Sequence, residues 1–166
     1  MRESGRWHND EAEEIRSLLE RLAKVAPQRT RGAENPPFGL AHSEFHPTSI
    51  HIGTQGLKIL DWARAYAGSG LLELVSWQGT IDPLDLDQVA QLIDAYVLAG
   101  GPKEAQAPRG GLPAHGWAAG WDKVWICEWF MEGTARWAES DMDHSLQQTV
   151  SLGVAGLGLA GPSDVT

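Results

Sequence analysis

His42-Ser43-Glu44-Phe45-His46-Pro47-Thr48-Ser49 is the stretch from which the rest of the chain is read. Polar and ionisable side chains crowd together here, and Pro47 interrupts any strand, so the segment reads as a loop. Directly after it, Ile50-His51-Ile52 and Leu57-Lys58-Ile59-Leu60 have the pattern of two short strands. Gly53 and Gly56 bracket the connection between them, which predicts a hairpin. Asp61-Trp62 follows at the hairpin's end. A hairpin returns the chain to its starting point, so Asp61 is expected at the same end of the structure as Ser49.

Outward from this stretch the pattern is mostly helical. Upstream, Ile15, Leu18, Leu19, Leu22 and Val25 recur at three- and four-residue steps and form one apolar stripe. Asp10 is a fitting N-cap, with Glu11, Glu13 and Glu14 at the positive helix end. Pro27 is expected to end this helix, and Gln28–Gly39 to be a loop. Downstream, Ala67-Gly68-Ser69-Gly70 reads as a small-residue turn before a short helix, Leu71–Trp77. Leu86, Val89, Ala90, Ile93, Tyr96 and Val97 share one helix face, with Asp85 as cap and Gly100-Gly101 as terminator. Pro102–Pro113 is a Gly/Pro loop, and a long helix is predicted from about Ala114 to about Ala138. Residues 1–9 are expected to be disordered, 10–143 to form the domain, and 144–166 to be a Gly-rich tail. The element order suggests a mostly helical α+β fold.

Composition narrows the function classes. The chain has 166 residues, 13 Lys+Arg against 22 Asp+Glu, and a formal charge of −9. That length suits one domain with a sizeable core. The acidic balance argues against nucleic acid, whose phosphates need clustered cations, and against anionic membrane surfaces. The apolar-looking stretch Ser151–Gly161 is too short and too Gly-broken to span a bilayer. One cysteine, Cys127, allows neither an internal disulfide nor a Cys-rich zinc site. With a polar N-terminal start, the expected location is a reducing cytoplasm.

The central stretch carries the chemistry. Phosphoryl transfer needs Mg²⁺ to neutralise charge and a carboxylate to orient the attacking hydroxyl. Kinase-type catalytic loops place a carboxylate five positions before a metal ligand, and a second metal-binding Asp after a short hairpin. Glu44 and Ser49 are five apart, and Asp61 follows the hairpin.

On these residues the segment resembles the catalytic core of the aminoglycoside phosphotransferase and choline kinase-like superfamily. Its usual loop reads His-Gly-Asp-x-His-Pro-x-Asn, followed by a hairpin and an Asp-Trp or Asp-Phe pair. His42, His46, Pro47 and Asp61-Trp62 keep that pattern. Gly68-Ser69-Gly70-Leu71-Leu72-Glu73-Leu74 resembles the family's Gly-Asp-Pro-x-x-Asp-Leu-Ala turn. Ser43, Glu44 and Ser49 stand where the family has Gly, Asp and Asn. The extra methylene of Glu44 moves its carboxylate by about 1 Å, which can cost ~10²-fold in rate when nothing compensates.

The resemblance implies the C-terminal, large lobe of the protein kinase-like fold, with a catalytic loop and a short hairpin. It implies a transferase using ATP or GTP and Mg²⁺ to pass a γ-phosphoryl group to a small-molecule hydroxyl, a cationic acceptor among the candidates. In that assignment Glu44 is the catalytic carboxylate, Asp61 the main Mg²⁺ ligand and Ser49 a second one. His42, His46, Pro47 and Trp62 support the loop. The family's N-terminal lobe, with its phosphate-covering loop and strand Lys, has no counterpart before Asp10. The expectation is an incomplete site that a partner chain could complete by supplying that lobe, without efficient ATP turnover by this chain alone. The alternative from another class is a non-catalytic, pseudokinase-like binding or scaffold fragment.

Other residues admit two readings. His42-x-Glu44-x-His46 with His51 could be a Zn²⁺ or Fe site. Trp117, Trp121, Trp125 and Trp129 recur every four residues, as core packing or as a stacking platform for a ligand. Asp122, Glu128, Glu132, Glu139, Asp141 and Asp143 read as a solvated acidic face, or as a surface suited to a cationic substrate. Cys127 reads as a small buried hydrophobe.

Overall fold

The apolar stripe predicted before the loop becomes α1, Asn9–Arg29, in a computed structural model that describes residues 9–77 and 84–133. The helix runs through Pro27 instead of ending there. The proline falls in the last turn and removes only one donor, and the Thr30 N–H still reaches the Ala26 carbonyl at 2.9 Å. Residues 1–8 and 134–166 lie outside the described residues, and with them the predicted N-terminal disorder, the helix end near Ala138 and the Gly-rich tail.

The described residues form an α+β fold, about half helical, with two small antiparallel sheets. Strand β1, Phe38–Ala41, forms inside and just beyond the segment expected to be loop, and β4, Tyr66–Ser69, replaces most of the expected Ala67–Gly70 turn. The two pair with Phe38 opposite Ser69 and Ala41 opposite Tyr66. The predicted hairpin is β2, Ile50–Gly53, and β3, Gly56–Ile59, with Ile50 opposite Ile59 and Ile52 opposite Leu57. The Pro36–Pro37 bond before β1 is cis.

Helix α2, Leu71–Ser76, ends one residue short of the prediction. Helix α3, Leu86–Leu98, is capped as expected, the Asp85 carboxylate accepting from the Asp87 and Gln88 amides. It closes with the Gly100 amide on Val97 O and the Gly101 amide on Tyr96 O, with Gly100 at φ +104°, the left-handed geometry that favours glycine. Helix α4 is Ala114–Gly133. The core lies where α2, α3 and α4 meet: Leu71, Val75, Val89, Ile93, Trp117 and Ala118 are buried together. Burying each large aliphatic side chain there contributes about 1.5–3 kcal/mol.

Arg109 fixes the approach to β1. Its side chain is 1% exposed, and its guanidinium donates to Asn35 O at 3.0 Å, Pro36 O at 2.7 Å and Ser69 Oγ at 3.2 Å. Its guanidinium also lies 5.4 Å from the Trp117 ring centre. Gly110 and Gly111, both at positive φ, form the tight turn that returns the chain from Arg109 to Leu112. The carbonyls that precede β1 therefore have donors, and the strand delivers His42 at a defined place.

Candidate active site

β1 ends at Ala41, and the loop from His42 to Ser49 is held at both ends. At its start, the Glu73 carboxylate of α2 accepts the His42 amide at 3.0 Å and the Ser43 amide at 2.9 Å, one on each oxygen. The His42 ring Nε2 sits 2.6 Å from Leu60 O. A carbonyl only accepts, so Nε2 carries the proton, and Nδ1 is left to accept the Glu44 amide at 3.4 Å. His42 thereby ties the loop to the residue immediately before Asp61. Trp62 packs edge-on against the His42 ring at 4.8 Å, and its indole N–H donates to Ile59 O at 2.9 Å.

At the loop's end, Pro47–Ser49 form one turn of 3₁₀ helix. The Ser49 hydroxyl donates to Glu44 O at 2.9 Å, and Leu60 N–H donates to Ser49 O at 2.8 Å, extending the β2–β3 pairing by one step. Asp61 therefore begins directly beside the hairpin's open end, as the hairpin prediction requires. His46 Nδ1 lies 2.6 Å from Thr48 Oγ, which braces the same turn. Ser76 Oγ donates to Phe45 O at 3.1 Å, and the Phe45 ring packs on Trp77 at 5.4 Å.

Two non-glycine residues of this region have left-handed backbones, Ser43 at φ +78° and Asp61 at φ +65°. Each costs on the order of 1–2 kcal/mol relative to a relaxed backbone. Ser43 thus takes a backbone that favours glycine. Its hydroxyl is buried without a hydrogen-bond partner. Such strain persists only where surrounding bonds over-determine it, as the Glu73 and His42 bonds do here.

The residues singled out in the sequence separate clearly. His42 and Ser49 are buried, Glu44 and His46 half-buried, and Pro47, Asp61 and Trp62 exposed. His42 has both ring nitrogens engaged and His51 lies exposed on β2 opposite Lys58, which removes the Zn²⁺ or Fe reading of His42, Glu44, His46 and His51. Among the described residues no group of three or more His, Cys, Asp or Glu side chains is placed to hold a metal ion. Mg²⁺ bound with a nucleotide asks less of the protein: one or two carboxylates, with phosphate and water oxygens completing the octahedron. The exposed Asp61 carboxylate fits that donor set. The Ser49 hydroxyl proton is already committed to Glu44 O, leaving only its lone pairs for a cation.

Asp122 does not lie on an exposed acidic surface, which both sequence readings of that set require. It is 3% exposed with Oδ2 lacking a partner, and burial chiefly, with Glu73 nearby, pushes its pKa up to about 7 despite Lys123. The same surroundings push Tyr66 up to about 12, burial first and then the charges of Glu73 and Asp122. Asp122 and Tyr66 thus both feel the charge of Glu73, the carboxylate that holds the start of the loop. Glu128, by contrast, pairs with Arg64 at 3.2 Å at a partly exposed site. Of the tryptophans, Trp117 is core, while Trp121 and Trp125 are half-buried; the Trp129 side chain lies outside the description. Cys127 is buried as expected.

No protein-family model, curated protein or solved structure matches this chain. No helix among the described residues is long and apolar enough to cross a membrane.

Proposed function

We propose that this chain is the large lobe of a kinase-like, aminoglycoside phosphotransferase-like enzyme acting on a small-molecule hydroxyl. The observation that carries this reading is the double clamp on the His42–Ser49 loop. Glu73 holds its first two amides, and His42 holds the carbonyl next to Asp61. Two segments that a phosphoryl-transfer site must bring together are bonded to each other through residues that keep the family pattern. In this reading Glu44 orients the acceptor hydroxyl and takes up its proton as the new O–P bond forms and the bond from the γ-phosphorus to the bridging oxygen breaks, the nucleoside diphosphate leaving. Asp61 would hold Mg²⁺, which when bound neutralises charge on the phosphates. In this reading a nucleotide-covering lobe completes the site, a partner chain being one source.

A thermal-shift titration with Mg·ATP and Mg·GTP tests the reading, because a ligand of the folded state raises the melting temperature by mass action. The expected result is a Mg²⁺-dependent rise that Asp61→Asn abolishes without unfolding the protein. No shift at millimolar nucleotide would remove the reading for the isolated chain. That outcome favours the second reading, a non-catalytic pseudokinase-like binding fragment, for which the burial of Ser49, 4% exposed, is the specific support.

A further inference from the structure

On the side of β4 facing α4 lies a cleft of about 440 Å³, walled by Phe38, Tyr66, Leu72, Trp117, Trp121 and Trp125. Its volume falls in the range of small-molecule sites, roughly 300–1,000 Å³. The aromatic walls are fixed from behind. Trp117 Nε1 donates to Arg29 O at 2.6 Å, and Trp121 Nε1 to the same carbonyl at 3.3 Å. Trp125 stacks with Tyr66 at 5.5 Å and 19° between planes, and carries the Arg64 guanidinium 4.9 Å from its ring centre.

Three polar side chains of the lining already have partners. Thr30 Oγ donates to Ala26 O at 2.9 Å, and Ser69 Oγ accepts from Arg109 at 3.2 Å. Glu128, the carboxylate on the lining, pairs with Arg64 at 3.2 Å. What remains for a ligand is chiefly aromatic surface, on which the Trp117 and Trp121 indole N–H groups are already committed to Arg29 O. Such a wall rewards flat apolar area and offers a charged group little in exchange for its hydration.

We propose that this cleft binds an uncharged, planar aromatic molecule of two or three rings, held against Tyr66, Trp121 and Phe38. The site is separate from the phosphotransferase reading, and its test uses no nucleotide.

N-phenyl-1-naphthylamine is the probe: it is uncharged, planar in each ring system and fluorescent in apolar surroundings. Titration into the full chain, with calorimetry for stoichiometry, is expected to show saturable one-to-one binding. Ala67→Trp places a bulky ring at an exposed β4 position that lines the cleft, and is expected to weaken binding by about tenfold or more. Trp121→Ala is expected to weaken it by about tenfold, from lost stacking and contact area. Leu98→Ala, at a residue 90% exposed and away from the cleft, leaves binding unchanged. Where Trp121→Ala fails to fold by circular dichroism, Ala67→Trp decides. The proposal is overturned by absence of saturable binding, or by binding indifferent to Ala67→Trp. Equal or tighter binding of the sulfonated analogue, 1-anilinonaphthalene-8-sulfonate, overturns the assignment of an uncharged ligand.

Discussion

Replacing Glu73 removes the clamp at the start of the loop, and its cost can be worked from the bonds it makes. The carboxylate accepts two backbone amides, at 3.0 and 2.9 Å, from residues that are 3% and 7% exposed. A hydrogen bond to a charged group contributes about 1.5–3 kcal/mol, and a buried amide left without an acceptor loses that full amount. Glu73→Ala is therefore expected to destabilise the fold by about 3–5 kcal/mol, a fall in melting temperature on the order of 10 °C for a chain of this size. Glu73→Gln keeps one acceptor oxygen but turns an NH₂ group towards the second amide, so roughly half the loss is expected. Urea denaturation measures the stabilities, and amide hydrogen exchange reads the loop directly. The His42 and Ser43 amides should lose protection first. Glu73→Ala within 0.5 kcal/mol of wild type, with both amides still protected, would refute the clamp and with it the support for the proposed function.

The remaining predictions concern groups around this frame. Asp122 holds its proton in the folded state up to about pH 7, whereas an ordinary carboxylate releases it near 3.8. The stability that its protonation confers is complete below about pH 4 and lost as pH rises to about 7. Asp122→Asn should therefore match wild type near pH 4 and exceed it at pH 8 by up to about 4 kcal/mol, and an unchanged pH slope in the variant would contradict this. Cys127 is buried, and burial pushes its thiol up to about 12, so a disulfide reagent at pH 8 should label it only after denaturation. Fast labelling of the folded chain would place the thiol at the surface. Gly110 and Gly100 both have positive φ, but a Cβ would collide with Arg29 backbone atoms at Gly110 and meets nothing at Gly100. Thermal melts should rank Gly110→Ala well below Gly100→Ala, the latter costing about 1 kcal/mol.

Much of this architecture was legible where the determinants are local. The stripe from Ile15 to Val25, the Asp85 cap, the Gly100-Gly101 terminator and the Gly-bracketed hairpin each act within a few residues. β1 and β4 were not legible, because Phe38-Gly-Leu-Ala and Tyr66-Ala-Gly-Ser carry little strand propensity of their own. Their extended backbone comes from pairing with a segment far away in sequence. In the site, the loop and Asp61 were readable from spacing. Glu73 appeared within the turn motif, yet nothing local says that its carboxylate reaches back to His42. Asp122 looked like its acidic neighbours, since a helix exposes or buries a carboxylate according to what packs on that face. Arg109 sat in a Gly/Pro loop that gave no sign of its burial.

Arg109 also sets an order of events on the ribosome. Its donors reach back 73 and 74 residues, to Pro36 and Asn35. Trp117 reaches back 88 residues to Arg29. At synthesis rates of about 5–20 residues per second, some 4–15 seconds separate the emergence of those carbonyls from that of the guanidinium that covers them. Throughout that interval the backbone leading into β1 must be served by water or by a chaperone. The frame of the His42–Ser49 loop, although encoded in the first half of the chain, is a late event in the life of the nascent polypeptide.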